Sequence, residues 1–185
     1  MAATRWLDEE EQRTWRTFMV AMKLLQEQLD RDVDRDTAVP SAYYEVLVRL
    51  SEAPDHRLRL SELADQAQSS RSRLSHSLAR LEALGWIGRQ VCDTDRRGAF
   101  AVLTDEGHAA LAAAAPVHVE SVRTHLFDQL DEDQLAQLRA ISERLLEHLV
   151  AVNGPSPAVR ALLGALGDCP AGSAADTRVT DVSTR

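Results

Sequence analysis

Only two cysteines, Cys92 and Cys169, occur in the 185 residues, with no CxxC pair and no clustered Cys/His spacing. That scarcity excludes a disulfide framework and a structural zinc site, and it makes a reducing cytoplasm the expected compartment. Eight glycines leave little material for a phosphate-cradling loop. No G-x-S-x-G, no H-E-x-x-H and no carboxylate pair within apolar surroundings is present, so the chain is not expected to be an enzyme. No run approaches the roughly 20 apolar residues that cross a bilayer. The first residues, MAATRWLDEEEQR, are acidic where an export signal would be basic and then apolar, so neither export nor a membrane anchor is expected. Lysine is nearly missing too: Lys23 is the only one, and positive charge is otherwise arginine.

What is present is an acidic chain with a basic island. Asp and Glu number 29 against 21 Lys and Arg, a formal net charge of −8. Residues 56–100, however, hold eight arginines (Arg57, Arg59, Arg71, Arg73, Arg80, Arg89, Arg96 and Arg97) against five acids, so this window is +3 and the remainder −11. A field concentrated this way acts within a Debye length of roughly 8 Å, where the average charge of the whole chain matters little.

Apolar periodicity divides the chain into elements. Trp15, Phe18, Met22, Leu25 and Leu29 fall on one stripe of a helix expected over about 8–33. The segment Asp30–Thr37 reads as too charged for a core. Pro40 is placed to open a helix over Ser41–Glu52, and Leu58–Leu60 reads as a short edge strand. Ser61 is expected to cap a short helix, and a second helix over Ser70–Leu84 places Leu74, Leu78 and Leu81 on one face, with Gly85 as its stop. Residues 86–91 and 99–103 are expected to form a hairpin joined by a seven-residue connection, Cys92–Gly98. Thr104 then caps a long helix to about Phe127, broken or bent near Pro116, and Leu135 through Val152 mark a last amphipathic helix. A short helix over Pro157–Leu166 and a loose tail to Arg185 complete the chain.

Two short helices across a tight turn, followed by a hairpin rich in arginine, are the ordered parts of a winged helix-turn-helix. The fold class expected is mainly α with a small β-hairpin wing. On the second helix, Ser72, Ser75, His76 and Ala79 lie opposite the leucine stripe, flanked by Arg73 and Arg80. This slim hydrogen-bonding face suits a major groove, while Ser69 and Ser70 with the helix N-terminus suit phosphate, and Arg71, Arg73 and Arg80 are candidates for DNA contact. Arg97 at the hairpin tip can reach the minor groove, with Asp95 holding it or a helix arginine in register and Arg96 on phosphate. His108, His118 and His125 lack ligand spacing, so no metal site is expected. A dimeric winged helix that docks a protein through its acidic helices is the alternative reading.

The segments L63-A64 through S69-S70-R71-S72-R73-L74, L81-E82-A83-L84-G85-W86-I87-G88-R89, D93-T94-D95-R96-R97-G98 and V102-L103-T104-D105-E106-G107 resemble the multiple antibiotic resistance regulator (MarR) family. The resemblance covers roughly residues 8–150. It implies a single domain over 8–152, with dimerisation helices at 8–35 and 104–152 around a head at 40–103. It further implies a homodimer reading a palindromic double-stranded operator, most simply a repressor of transcription released by a small ligand. Arg97 and Asp95 would serve the minor groove. No resident cofactor is implied, although members commonly take a phenolic or aromatic effector, for which Trp15, Tyr43 and Tyr44 are the candidates here. Cys92 does not occupy the first helix, where peroxide-sensing members carry their cysteine.

Overall fold

Helix α1 (Glu9–Asp36) begins where Asp8 accepts the Glu11 N–H at 2.8 Å and the Glu11 carboxylate accepts the Asp8 N–H at 3.0 Å. This reciprocal cap, with Glu9, Glu10 and Glu11 in the first turn, satisfies the free amides and complements the helix dipole. The computed structural model describes residues 3–66, 71–92 and 95–154; the side chains of 64–66, 71–73, 91, 92, 95–98 and 153 lie outside that description. The expected short helix at 157–166 and the tail fall outside it as well.

At its other end α1 departs from expectation. Asp32 and Val33 are buried, although the run around them is highly charged. The reason is geometric: Arg31 and Asp34–Asp36 lie on the exposed side of the helix, while Asp32 meets Ser121 and His125 of α5. Thr37 closes the helix, its hydroxyl donating to a backbone carbonyl at 2.9 Å. Helix α2 (Ser41–Glu52) follows, with Pro40 at the capping position just before it and the Ser41 N–H on Asp34 Oδ1 at 2.7 Å.

The core lies between α2, the helix pair and the sheet. Leu47 and Leu50 of α2 are fully buried against Leu58, Leu63, Leu74, Leu78, Leu81, Ile87 and Ala101. Strand β1 (Arg57–Arg59) leads directly into α3 (Leu60–Gln66). Helix α3 therefore starts one residue before Ser61, the expected cap, and the Glu62 carboxylate instead reaches back to the Arg59 N–H at 3.0 Å. Helix α4 (Arg71–Ala83) buries its leucine stripe as its spacing requires. It ends at Gly85, whose φ of 74° is open to residues without a Cβ. Trp86 N–H on the Leu81 carbonyl and Gly85 N–H on that of Glu82, both 3.0 Å, complete the stop.

Strands β2 (Ile87–Cys92) and β3 (Asp95–Leu103) form a three-stranded antiparallel sheet with β1, in the order β1-β3-β2. The wing is longer than its sequence suggests. Val91 pairs with Ala99, and the next pair is Cys92 with Asp95. Arg96, Arg97 and Gly98 thus form a bulge in β3 rather than part of a seven-residue loop, because the ladder resumes beyond them.

Thr104 caps α5 (Asp105–His125), accepting the Gly107 N–H at 3.0 Å and donating to the Gly85 carbonyl at 2.7 Å, so one hydroxyl joins two helix ends. Of the break or bend expected near Pro116, the break is absent, since the helix runs continuously through that residue. Pro116 and Ala112 are both exposed, and water can serve the Ala112 carbonyl that loses its partner. Gly107 is buried, and a Cβ there would stand 2.0 Å from the Trp86 carbonyl oxygen. Gly107→Ala is therefore expected to lower stability by about 1–3 kcal/mol, read by urea unfolding; an unchanged midpoint would contradict this packing. Helix α6 (Glu132–Asn153) carries its own reciprocal cap between Asp131 and Gln134 and packs little against the other described residues.

Candidate nucleic-acid interface

With Leu74, Leu78 and Leu81 turned into the core, the opposite line of α4 is left to solvent: Ser75, His76, Ala79 and Arg80 are exposed. Ser72 stands one turn earlier on that same line, and Arg71 and Arg73 occupy the first turn of the helix. Ser69 and Ser70, expected on phosphate, lie outside the described residues. The surface is narrow and free of bulky apolar groups, which a helix entering a major groove needs. An ion pair between Arg89 Nε of β2 and Glu82 of α4, at 2.9 Å, links the wing to this helix and fixes their relative placement.

Asp95, Arg96 and Arg97 open β3, so the backbone brings them to the free end of the hairpin. Their side chains lie outside the described residues, and the Asp95–Arg97 partnership is an inference from spacing alone.

The three aromatic residues named for an effector do not come together. Tyr43 and Tyr44 are half-buried against the core, whereas Trp15 is exposed near the start of α1. Seventeen residues separate Trp15 from Asp32, roughly 25 Å of helix. Tyr44 instead stacks on His118 of α5, ring centroids 5.0 Å apart. Burial raises the Tyr44 hydroxyl above its ordinary value, with the Glu52 charge adding to it. The same burial lowers His118, partly opposed by Asp30.

Sequence reasoning missed the most connected polar group. Asp32 Oδ2 accepts the Ser121 hydroxyl at 2.6 Å and faces His125 Nε2 at 2.9 Å, while Oδ1 accepts Gln28 Nε2 at 2.9 Å and faces Arg35 Nη2 at 3.1 Å. The Ser121 hydroxyl above all, then His125 and Arg35, hold this carboxyl below its usual range against the opposing effect of burial. The node joins α1 to α5 across some ninety residues of sequence. A signal was available: Ala114, His118, Ser121 and His125 follow a 4-3-4 spacing, so the polar residues of α5 sit on its inward line. Among the described residues no group of His, Cys, Asp and Glu is arranged to hold a metal ion.

Known proteins resemble this arrangement. Residues 39–98 match the model of the MarR family. The structure superposes with a TM-score of 0.69 on Sco3205, a MarR family transcriptional regulator from Streptomyces coelicolor solved in complex with DNA, at 48% identity over 80% of this chain and 92% of that one. The chain belongs to the MarR family. AbsC, another MarR family transcriptional regulator of Streptomyces coelicolor, matches at 41% identity over 80% of this chain and 99% of its own, with a TM-score of 0.67. Among curated relatives, the HTH-type transcriptional regulator PecS of Dickeya dadantii (strain 3937) is 34% identical over 90 residues, which is 49% of this chain and 54% of PecS. The transcriptional repressor MprA of Escherichia coli (strain K12) is 32% identical over 103 residues, 56% of this chain and 58% of MprA. The chain thus spans about half the length of the curated relatives it matches. The fold common to the MarR structures, mainly helical with a small antiparallel sheet, is the winged helix-turn-helix expected from the order of parts.

Proposed function

We propose that this chain is a homodimeric regulator of transcription that reads a palindromic double-stranded operator, acting as a repressor released by a small ligand. The observation that carries the reading is the 48% identity to a regulator solved in complex with DNA, over nearly all of that protein. The exposed line of α4 and the arginine-bearing bulge of β3 are the surfaces that would meet the duplex. On the operator, Ser72, Ser75, His76 and Arg73 face base edges, and Ser69, Ser70, Arg71, Arg80 and Arg96 serve phosphate. Arg97, held by Asp95, enters the minor groove.

Two observations support a second copy. The stripe of α1 and the line of α6 leave Trp15, Phe18, Met22, Ile141, Leu145 and Leu149 about half exposed, more apolar surface than a lone chain of this size usually shows. The reading assigns no catalysis and no resident cofactor. The cytoplasm is its compartment; among the described residues no helix is long and apolar enough to cross a membrane. Tyr43 and Tyr44, with the His118 ring against Tyr44, are the groups offered to a phenolic or aromatic effector, and Trp15 takes part only if a partner supplies it.

Selection of bound fragments from the source genome tests the proposal. An inverted repeat is expected, bound in preference to scrambled duplex, with affinity falling steeply as salt rises. Binding that ignores both sequence and salt would favour a protein-docking role and overturn the reading. Arg97→Ala is expected to weaken operator binding by about 1–3 kcal/mol, measured by fluorescence anisotropy. A folded, dimeric variant with full affinity would remove Arg97 from the interface.

A further inference from the structure

One hydroxyl makes more bonds than its position requires. Thr104 precedes α5, and a residue that caps a helix needs only an acceptor for a free amide of the first turn. The Thr104 hydroxyl accepts the Gly107 N–H at 3.0 Å, and its own proton goes elsewhere, to the Gly85 carbonyl oxygen at 2.7 Å. A hydroxyl has one proton and two lone pairs, so both bonds form together. The branched Cβ of threonine limits the rotamers that would break them. Gly85 is the stop of α4, held in the left-handed region at φ 74°. Thr104 therefore caps one helix and ties off the end of another.

The rest of this joint surrounds the hydroxyl. The Thr104 N–H donates to the Trp86 carbonyl at 3.1 Å, just beyond the pairing of Ile87 with Leu103. Buried Gly107 lies against the same carbonyl, where no Cβ fits. One residue on, the His108 ring stands edge-on to His56, centroids 6.4 Å apart. These contacts all join the head to the first turn of α5. Glu82, near the end of α4, pairs with Arg89 of β2 at 2.9 Å, so α4 and the wing turn as one body. At its far end α5 is fixed to α1 through Ser121 and His125 on Asp32. Helix α5 is thus a strut, with the head seated on one end and α1 bonded to the other.

Leverage gives the joint its consequence. His76 lies nine residues before Gly85, roughly 13 Å of helix. A rotation of about 10° at Gly85 moves His76 by about 2 Å, more than a hydrogen bond to a base edge tolerates. In a symmetric pair the two displacements change the separation of the reading helices, whereas one head on one half-site is unaffected. We infer that the Thr104 hydroxyl is a positioning group: by holding the Gly85 carbonyl it sets the angle of α4 against α5, and with it the half-site spacing that the dimer accepts. The inference rests on the proposal of a dimeric operator reader and assigns control of its geometry to a residue outside the DNA contacts.

The test uses the full chain with three duplexes: the inverted repeat recovered from the genome, the same repeat with one base pair added to or removed from its centre, and a single half-site. Thr104→Asp separates the two bonds, since a carboxylate still caps the Gly107 amide but has no proton for the Gly85 carbonyl. Its urea midpoint and its half-site affinity should stay close to wild type. Affinity for the intact repeat should fall about fivefold, because a head freed in angle is competent for part of the time and two must be competent together. The penalty for an altered centre should shrink, since loosened heads can follow a displaced half-site. Thr104→Ser keeps both proton and acceptor and should behave as wild type on every duplex. Thr104→Asp with wild-type affinity and the wild-type spacing profile would overturn the inference while leaving the operator reading intact. Equal losses on the half-site and the intact repeat would also overturn it, by placing the effect inside the head. A wild-type protein indifferent to the inverted repeat would overturn the operator reading, and this inference with it.

Discussion

Asp32→Ala is expected to lower the unfolding free energy by about 2–4 kcal/mol at neutral pH, because the carboxylate is buried and answers four donors at once. Ser121 lies inside the protein and would keep a hydroxyl with no acceptor, whereas Gln28 and Arg35 can turn to water. Asp32→Asn should cost less, since its amide oxygen can still accept from Ser121. The pH dependence has a definite sign. A carboxyl whose folded value is depressed stabilises the native state fully above the unfolded value near pH 4, and that stabilisation is lost as pH falls through the folded value. The gap between wild type and Asp32→Ala should therefore be full at pH 7 and 5 and should narrow toward pH 3. Urea unfolding at one fixed protein concentration reads it, since the stability of the proposed dimer would depend on concentration. A variant as stable as wild type at pH 7, or a gap that stays constant to pH 3, would show that the node contributes no charge-dependent stability.

The contrast between Asp32 and the helix pair shows what a linear reading can see. Leu74, Leu78 and Leu81 declared the buried face of α4 by spacing, and Gly85 declared its end, since both are local properties of a helix. The same logic placed Thr104 as a cap, because a hydroxyl three residues before a free amide acts on its own. Asp32 could not be seen this way. Its burial depends on Ser121 and His125, some ninety residues away, and in a run of alternating charges nothing local separates the inward acid from the outward ones. The wing shows a related limit: Gly98 and two arginines look like a loop, yet the cross-strand ladder resumes beyond them as a bulge. Of the interface, α4 was legible because its outward face is the complement of its core face. The second bond of Thr104, to the Gly85 carbonyl, stayed out of sight because it depends on the sheet register that sets Ile87 against Leu103.

Phe18→Asp combined with Leu145→Asp is expected to convert the protein to monomer at roughly 10 μM and to weaken operator binding on the order of 100-fold or more, the gain that joining two half-site heads ordinarily provides. Both residues are about half exposed, Phe18 on the α1 stripe and Leu145 on the line of α6, and neither belongs to the core around Leu47 and Leu50. Among the described residues of one chain α6 packs against little, so a helix of 22 residues held by its own hydrogen bonds needs a partner to bury its apolar line. Full burial of one large apolar side chain contributes about 1.5–3 kcal/mol. Removing two from each protomer and placing carboxylates where water would be excluded should exceed what most dimers can lose. The head should survive, since its leucines are untouched, and a single half-site should still be bound weakly. Sedimentation velocity reads the assembly, and anisotropy on full and half operators reads the binding. A double variant that sediments as a dimer would place the joining surface elsewhere. A monomer that binds the full operator as tightly as wild type would mean that each head reads its site alone.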